Sequence, residues 1–230
     1  MSKYVLLWLE GPLQAWGHDS RFSVRSTLEF PTKSGILGMM LAAMGLDGPQ
    51  EELLAMLSSC AHKVYSFDKG NCHPTTMVDF QMVGSGYDDK DNWEKMLIPK
   101  KRDGTAANGG GTKMTYRHYL QDAVFAVIAE IPDEISSAVE YAFESPVWPL
   151  CLGRRCCIPS KPIFCGGFDN LAAAEIKVNE IADVYKYKKT FCVVEGNDPE
   201  AGDVVIVQDV PIRFGASKKY KSRYVTIIKE

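Results

Sequence analysis

Residues 11–35, with the sequence GPLQAWGHDSRFSVRSTLEFPTKSG, concentrate cationic, hydroxyl, amide and aromatic side chains in one connection. The cations could neutralise phosphates, the polar groups could bond phosphate oxygens or base edges, and the rings could stack on bases. This mixture is typical of sites for an extended single-stranded nucleic acid. The alternative is that Trp16 and Phe30 belong to the core and that the arginines form a solvated surface. The candidate nucleic-acid contacts are Gln14, Trp16, Arg21, Arg25, Phe30, Thr32, Lys33 and Ser34.

The last part of this connection is predicted to begin a helix. Apolar residues between positions 36 and 44 follow a helical spacing, Thr32 or Ser34 could cap the start, and Gly45 could end it. The first turn of a helix directs unpaired backbone N–H groups outward and favours a bound phosphate. Residues 32–34 therefore have a second reason to contact a phosphate.

Three other stretches carry basic residues in a suitable setting. In GRRCC, at 153–157, the glycine lets backbone amides approach a phosphate and the arginine pair could clamp it. YRHYL, at 116–120, supplies a further arginine, and RFGASKKYKSR, at 213–223, has five basic residues and no acid. This last stretch could bind phosphate or protein, or it could be a solvated hairpin. The arginines predicted to bind RNA from the first two stretches are Arg117, Arg154 and Arg155.

Composition and motifs exclude several functional classes. The chain has 230 residues, 46% of them hydrophobic, and a formal net charge of -3, so it can bury a core and is not uniformly basic. It has no G-x-x-x-x-G-K-[ST], G-x-S-x-G or H-E-x-x-H motif and no acidic cluster at metal-binding spacing. The sequence therefore predicts neither a hydrolytic nor a metal-dependent enzyme, and no cofactor.

The cysteines and the start of the chain indicate a cytoplasmic protein. The seven cysteines include no C-x-x-C pair, and their odd number favours free thiols in a reducing compartment over disulfides or a zinc site. The apolar run in MSKYVLLWLEGP is too short for a signal peptide, and no stretch is long enough to span a membrane. We therefore expect no membrane partner.

Apolar patterning predicts the elements that position these side chains. The predicted order is a strand at 4–9, a helix ending near 44, a helix at 49–59, strands at 63–67 and 76–83, a strand at 122–131, a helix at 133–145 and a strand at 147–153. With the extra strand beside residues 84–116 set apart, this is the β-α-β-β-α-β pattern of a ferredoxin-like, RNA-recognition-motif-like fold in the α+β class. Alternating runs from about residue 180, beginning with DVYKYKKTFCVV, predict further strands. The predicted domains are 1–175 and a β-rich extension at 176–230 on the same body.

An insert at about 84–116 interrupts this pattern. It is rich in glycine, its charges nearly cancel, and it lacks periodicity, which is unusual for a segment of this length in a compact domain. We predict a protruding hairpin or flap that a partner orders; the alternative is a loosely attached surface loop. Its apolar tip and flanking basic residues are Trp93, Met96, Leu97, Lys100, Lys101 and Arg102.

Several of these stretches together resemble a known family. They are GPLQAWG at 11–17, Arg25, FPTKSGILG at 30–38, RHYLQDAVF at 117–125 and CLGRRCCIP at 151–159. They resemble the CasD-type members of the CRISPR-associated protein five family, in the RAMP superfamily, which belong to the type I-E surveillance complex Cascade. The resemblance implies a ferredoxin-like domain with the insert as a thumb, and a non-catalytic subunit that grips the 5′ repeat-derived handle of the CRISPR RNA (crRNA). It also implies contacts with the large and backbone subunits and, through the complex, support of target-DNA recognition in antiviral defence.

Two other functions remain open from the sequence. Relatives in type I-C systems cut precursor crRNA without metal, using Tyr, Lys and His. Lys113, Tyr116 and His118 could in principle act as acid and base on a 2′-hydroxyl. A scaffold with no RNA contact is the third possibility.

Overall fold

The computed structural model describes residues 2–18, 20, 23–70, 75–83, 90–93, 101, 103–105 and 113–230. Its helices are α1 (Lys33–Met44), α2 (Glu51–Ser58), α3 (Asp133–Glu144) and α4 (Leu171–Tyr185), and a 3₁₀ turn spans Gly215–Ser217. Its strands are β1 (Ser2–Glu10), β2 (Leu13–Gln14), β3 (Val24–Arg25), β4 (His62–Asp68), β5 (Thr75–Val83), β6 (Lys113–Gln121), β7 (Val124–Pro132), β8 (Phe164–Phe168), β9 (Lys188–Glu195), β10 (Asp203–Arg213) and β11 (Lys219–Lys229).

Seven of these strands form one sheet in the order β10-β11-β9-β4-β7-β1-β8, and each neighbouring pair is antiparallel. Strand β1 is buried on both faces because helices cover both sides of the sheet. Leu7 and Leu9 pack with α1, α2 and α3 on one side, whereas Leu6 and Trp8 pack with α4 on the other. The protein is therefore a mixed α+β structure with a mainly antiparallel sheet.

The predicted caps of the first helix are confirmed. Of the two candidates, Thr32 is the N-cap, and its Oγ1 accepts a hydrogen bond from the Gly35 N–H at 3.1 Å. Gly45 ends the helix in the left-handed region, with φ +70°. The sequence pattern therefore located α1 correctly.

Two predictions of secondary structure are wrong. Residues 147–153 do not form a strand, because the backbone N–H groups of Val147 and Trp148 donate to carbonyls at the end of α1. The strand that pairs with β1 is β8, further along the chain. The predicted strand at 183–194 is wrong only at its start: its first residues end α4, whose buried stripe is Ala174, Val178 and Ala182, and β9 begins at Lys188.

The C-terminal strands continue the seven-stranded sheet, since β9 pairs with β4 and β11 pairs with β9. The boundary expected between residues 175 and 176 lies inside α4. The division into two domains stays a prediction.

A second, small sheet carries the base of the insert. Strands β5 and β6 pair residue by residue from Thr75 opposite Gln121 to Val83 opposite Lys113. Residues 113–116 were predicted to belong to the structureless insert and instead continue β6. Among the thumb candidates, Met96, Leu97, Lys100 and Arg102 lie outside the described residues, as does Arg21. Across the described ranges, no helix is both long enough and apolar enough to cross a membrane.

Candidate nucleic-acid interface

A cleft of about 1100 Å³ runs along α1. Its walls are the connection at residues 15–17, the loop at 148–155 and the turn at 214–220. Parts of three stretches that carry predicted phosphate contacts, at 11–35, 153–157 and 213–223, therefore meet at one surface. Two of them supply the basic side chains Arg154, Arg155 and Lys218.

Close backbone contacts between glycines and their neighbours hold the cleft walls together. Gly153 has φ +94°, and a Cβ there would lie 1.8 Å from the Ala15 carbonyl oxygen. The Ala15 N–H donates to the Leu152 carbonyl at 3.0 Å, which fixes the connection against the loop. Gly35 lies against the Trp16 ring, which an added Cβ would approach to 2.9 Å. No larger residue fits at either position without displacing a wall.

The amide and aromatic side chains of the connection are structural, which corrects their predicted RNA contacts. Gln14 is fully buried; its Nε2 donates to the Leu9 and Ala123 carbonyls, and its Oε1 accepts from Trp16 Nε1 at 3.1 Å. Trp16 is only 1% exposed, and Phe30 is also buried. The alternative that placed both rings in the core is therefore correct.

The start of α1 is satisfied internally, which corrects the predicted phosphate roles of Thr32 and Lys33. The Lys33 N–H donates to the Asp209 carboxylate at 2.6 Å, while the buried Thr32 hydroxyl caps Gly35. A carboxylate thus occupies a place that a phosphate would take. Ser34 remains half-buried and lines the cleft.

The Lys33 side chain belongs to an ionic network beneath the cleft. Its Nζ lies 2.9 Å from Glu195 Oε1 and donates to the Ser58 and Cys60 carbonyls. Arg223 bonds the same carboxylate at 2.8 Å and clamps both oxygens of Asp209. Burial lowers the pKa of Lys33 despite these acidic neighbours. The network joins α1 to β9, β10 and β11.

His62 lies beside this network as a buried neutral side chain. Its ring nitrogens have no hydrogen-bond partner among the described residues. Burial lowers its pKa well below the usual range, and the positive charges of Lys33 and Arg223 act in the same direction. His62 therefore adds no charge to the network at neutral pH.

Arg154 has a structural role in addition to lining the cleft. Its guanidinium donates to the His118 carbonyl at 3.1 Å and to the Arg25 carbonyl at 2.9 Å, and it stacks over the Tyr119 ring at 4.5 Å. It therefore connects the cleft wall to β3 and β6. Arg25 and Arg117, which pair on those two strands, lie outside the cleft lining.

Other cleft side chains are exposed and suited to bind a ligand. The Arg155 guanidinium and the Lys218 ammonium form no hydrogen bond or salt bridge with the described part of the chain, although the Arg155 carbonyl accepts a hydrogen bond from the Cys151 thiol at 3.5 Å. Trp148 is 42% exposed, and it is not among the predicted RNA contacts because the apolar pattern of VWPLCLG predicts a strand. Asp47, Phe214 and Tyr220 also line the cleft. A turn signal at Pro149 could have placed Trp148 in a loop.

Cys151 in the cleft lining and Cys157 just beyond it carry no negative charge. All six described cysteines are free. Burial raises the pKa of the Cys151 thiol and raises that of Cys157 to about 12. Both thiols are therefore protonated at neutral pH and do not offset the arginines beside them.

The hairpin of β5 and β6 has an exposed apolar face. Phe80 stands opposite Tyr116, with ring centroids 5.2 Å apart, and Met82 stands opposite Met114. All four side chains are between 42% and 59% exposed. An exposed apolar face of this extent is typical of a contact surface.

Within the described ranges, no three His, Cys, Asp or Glu side chains are grouped to hold a metal ion. The site is a basic and aromatic cleft on a mainly antiparallel α+β protein.

Comparison with known proteins gives the family. A family model described as CRISPR-associated protein (Cas_Cas5) matches residues 4–226. The CRISPR system Cascade subunit CasD of Escherichia coli (strain K12) is 30% identical over 169 residues, which cover 72% of this chain and 71% of the relative. The chain belongs to this family of CRISPR-associated proteins.

Two solved structures are similar over almost the whole chain. A chain of a CRISPR RNA-guided surveillance complex matches 98% of this chain and 89% of its own length, with a TM-score of 0.70 and 26% identity. A crystal structure of a Cas protein matches 98% and 94%, with a TM-score of 0.62 and 24% identity, and supports the fold alone.

Proposed function

We propose that the protein is the crRNA-binding subunit of a type I-E Cascade surveillance complex and that the cleft along α1 grips the 5′ handle of the guide. The observation that carries this proposal is the cleft itself. It joins two exposed cations, Arg155 and Lys218, to exposed aromatic surface, in a family whose relatives belong to such complexes. A cytoplasmic location agrees with this function.

Single-stranded RNA suits the cleft because charge and aromatic surface occur together. Arg155 and Lys218 would bond phosphates, and the half-buried Ser34 hydroxyl adds a polar contact. Arg154 links the cleft to strands β3 and β6. Arg25 and Arg117 lie on these strands and would contact the guide between the cleft and the hairpin. The fixed backbone of the walls reduces the entropy cost of binding.

Replacing Arg155 and Lys218 by alanine together is expected to weaken handle binding about 100-fold. Each charge-assisted contact contributes about 1.5 kcal/mol, which is about tenfold in affinity. The slope of log affinity against log salt should become shallower by about 1.4, since two phosphate contacts to a single strand are lost. Fluorescence anisotropy with labelled repeat RNA measures both effects.

The matched control replaces Lys177 and Lys188, which lie outside the cleft lining, and removes the same charge. It should bind like the wild type. Equal losses of RNA affinity in both double variants would mean that binding depends on net charge alone, which would contradict a localised site.

The arrangement of the core strands supports a ferredoxin-like assignment. Strands β8, β1, β7 and β4 are adjacent and antiparallel, and the connections β1-α1-α2-β4 and β7-α3-β8 carry the helices. This order and these connections agree with the βαββαβ pattern that a ferredoxin-like domain requires. The extra helix α2 is accommodated within the first connection.

The hairpin of β5 and β6 is assigned as the base of a thumb. Its exposed face, with Phe80, Met82, Met114 and Tyr116, would pack on a neighbouring backbone subunit or against the guide. Trp93 is 75% exposed in the segment beyond it, and Lys101 is also exposed there. The large subunit, and target DNA through the complex, are the other expected partners.

The subunit is proposed to be non-catalytic. Tyr116 and His118 have Phe80 and Val78 as cross-strand partners, an apolar setting that suits contact more than proton transfer. The side chain of Lys113 lies outside the described residues.

Labelled repeat RNA incubated with the purified full chain in EDTA is expected to stay intact. Sequencing gels over several hours would detect the metal-independent cleavage that the type I-C relatives perform. A defined cut that disappears in a Tyr116→Phe, His118→Ala variant would establish the endoribonuclease instead.

A further inference from the structure

The two ends of the cleft differ in chemistry. At the start of α1, the lining includes Ser34 and the arginine pair of residues 154–155. At the other end the lining is aromatic, with Trp148 and Phe214, and it carries Asp47 as well as Lys218 from the same turn as Phe214. The arginine pair favours phosphates at the first end, whereas the Asp47 carboxylate disfavours a phosphate next to it at the second. The second end is therefore suited to a different part of a nucleotide.

Backbone hydrogen bonds hold Trp148 at this second end. Its backbone N–H donates to the Ala42 carbonyl at 3.3 Å, and the preceding N–H donates to Ala43 at 2.9 Å. The ring nevertheless stays 42% exposed. A large ring on a fixed backbone, open to a cleft, is suited to stack a base at little entropic cost.

The opposite wall is also fixed. The Phe214 N–H donates to the Pro49 carbonyl at 3.1 Å, and the Phe214 ring meets Tyr220 edge-on at 6.4 Å. The Gly215 backbone approaches Gly48, since an added Cβ would lie 3.5 Å from its carbonyl carbon. The turn is therefore held against residues 48–49, and Phe214 and Trp148 both line this end of the cleft, which we term the slot.

Asp47 gives this slot a preference among bases. An ionised carboxylate only accepts hydrogen bonds, so it favours a base edge that presents an amino group. Cytosine presents its N4 amino group, whereas uracil presents the O4 acceptor at the same position.

We propose that the slot beside Asp47 is a nucleobase subsite, in which Trp148 stacks an unpaired base and the Asp47 carboxylate accepts a hydrogen bond from its amino group. This subsite rests on the proposed RNA-binding function and adds base selectivity to it. The phosphate contacts of Arg155 and Lys218 would hold the strand, and the subsite would set which base enters.

The test compares labelled rC8 and rU8 on the full chain by fluorescence anisotropy, because the two bases have the same size and stack weakly. The wild type should prefer rC8 about fivefold or more. Asp47→Asn should abolish this preference, since its amide can also donate to uracil O4. Trp148→Ala should weaken both RNAs about tenfold, and Trp148→Phe should restore most of the affinity.

Tyr141→Ala removes an aromatic ring that is 70% exposed outside the cleft lining and should leave both affinities unchanged. The two proposals fail in different ways. If RNA binding depends on Arg155 and Lys218 while Asp47→Asn and Trp148→Ala behave like the wild type, the subsite is overturned and the handle-binding function stands. If the wild type binds neither RNA and no repeat RNA, both are overturned.

Discussion

Gly153→Ala is expected to destabilise the protein by about 3–5 kcal/mol, which combines backbone strain with overpacking. The residue has φ +94°, and its added Cβ would lie 1.8 Å from the Ala15 carbonyl oxygen. Either the loop or the connection at 15–17 must move, and both are cleft walls. Urea unfolding followed by tryptophan fluorescence measures the loss, and handle binding should fall with it.

Gly70→Ala is the control for Gly153→Ala, because it introduces the backbone strain without a steric clash. Gly70 has φ +81° but no atom within 4 Å of an added Cβ. Its variant should lose only about 1–2 kcal/mol, the strain of a left-handed alanine. Equal losses at the two positions would mean that the Ala15 contact relaxes freely and does not hold the cleft wall.

Trp16→Ala is expected to lower the free energy of unfolding by about 3–5 kcal/mol. The ring is 1% exposed and packs on Gly35 at the start of α1. For a domain of this size the loss corresponds to a decrease in Tm of about 10 °C. Differential scanning calorimetry of the full chain measures it.

Two substitutions refine this expectation. Trp93→Ala removes a ring that is 75% exposed and should leave Tm unchanged. Trp16→Phe keeps a ring but removes the donor to Gln14, so it should cost less than Trp16→Ala. Unchanged stability with weakened RNA binding in Trp16→Ala would show that the ring contacts RNA directly.

Local patterning predicted the elements whose limits depend on nearby residues. Helix α1 was located together with its cap at Thr32 and its end at Gly45, because both caps act within one turn of the chain. Strands β1, β4 and β7 were found because their apolar runs are short and bounded. Where a segment bonded to a distant element, patterning failed: Val147 and Trp148 look like a strand and instead bond to the end of α1.

The candidate site was also only partly predictable from the sequence. The sequence alone identified the stretches that form the cleft, through their basic, glycine-rich and aromatic residues, and their resemblance to a family that the comparisons confirmed. It could not say which side chains face the cleft. Lys33 and Arg155 are both cations in basic motifs, yet Glu195 pairs with the Lys33 ammonium and Asp209 accepts from its backbone N–H, whereas Arg155 stays exposed. Only the tertiary structure decides this, because burial and ion pairing depend on partners more than 100 residues away in the chain.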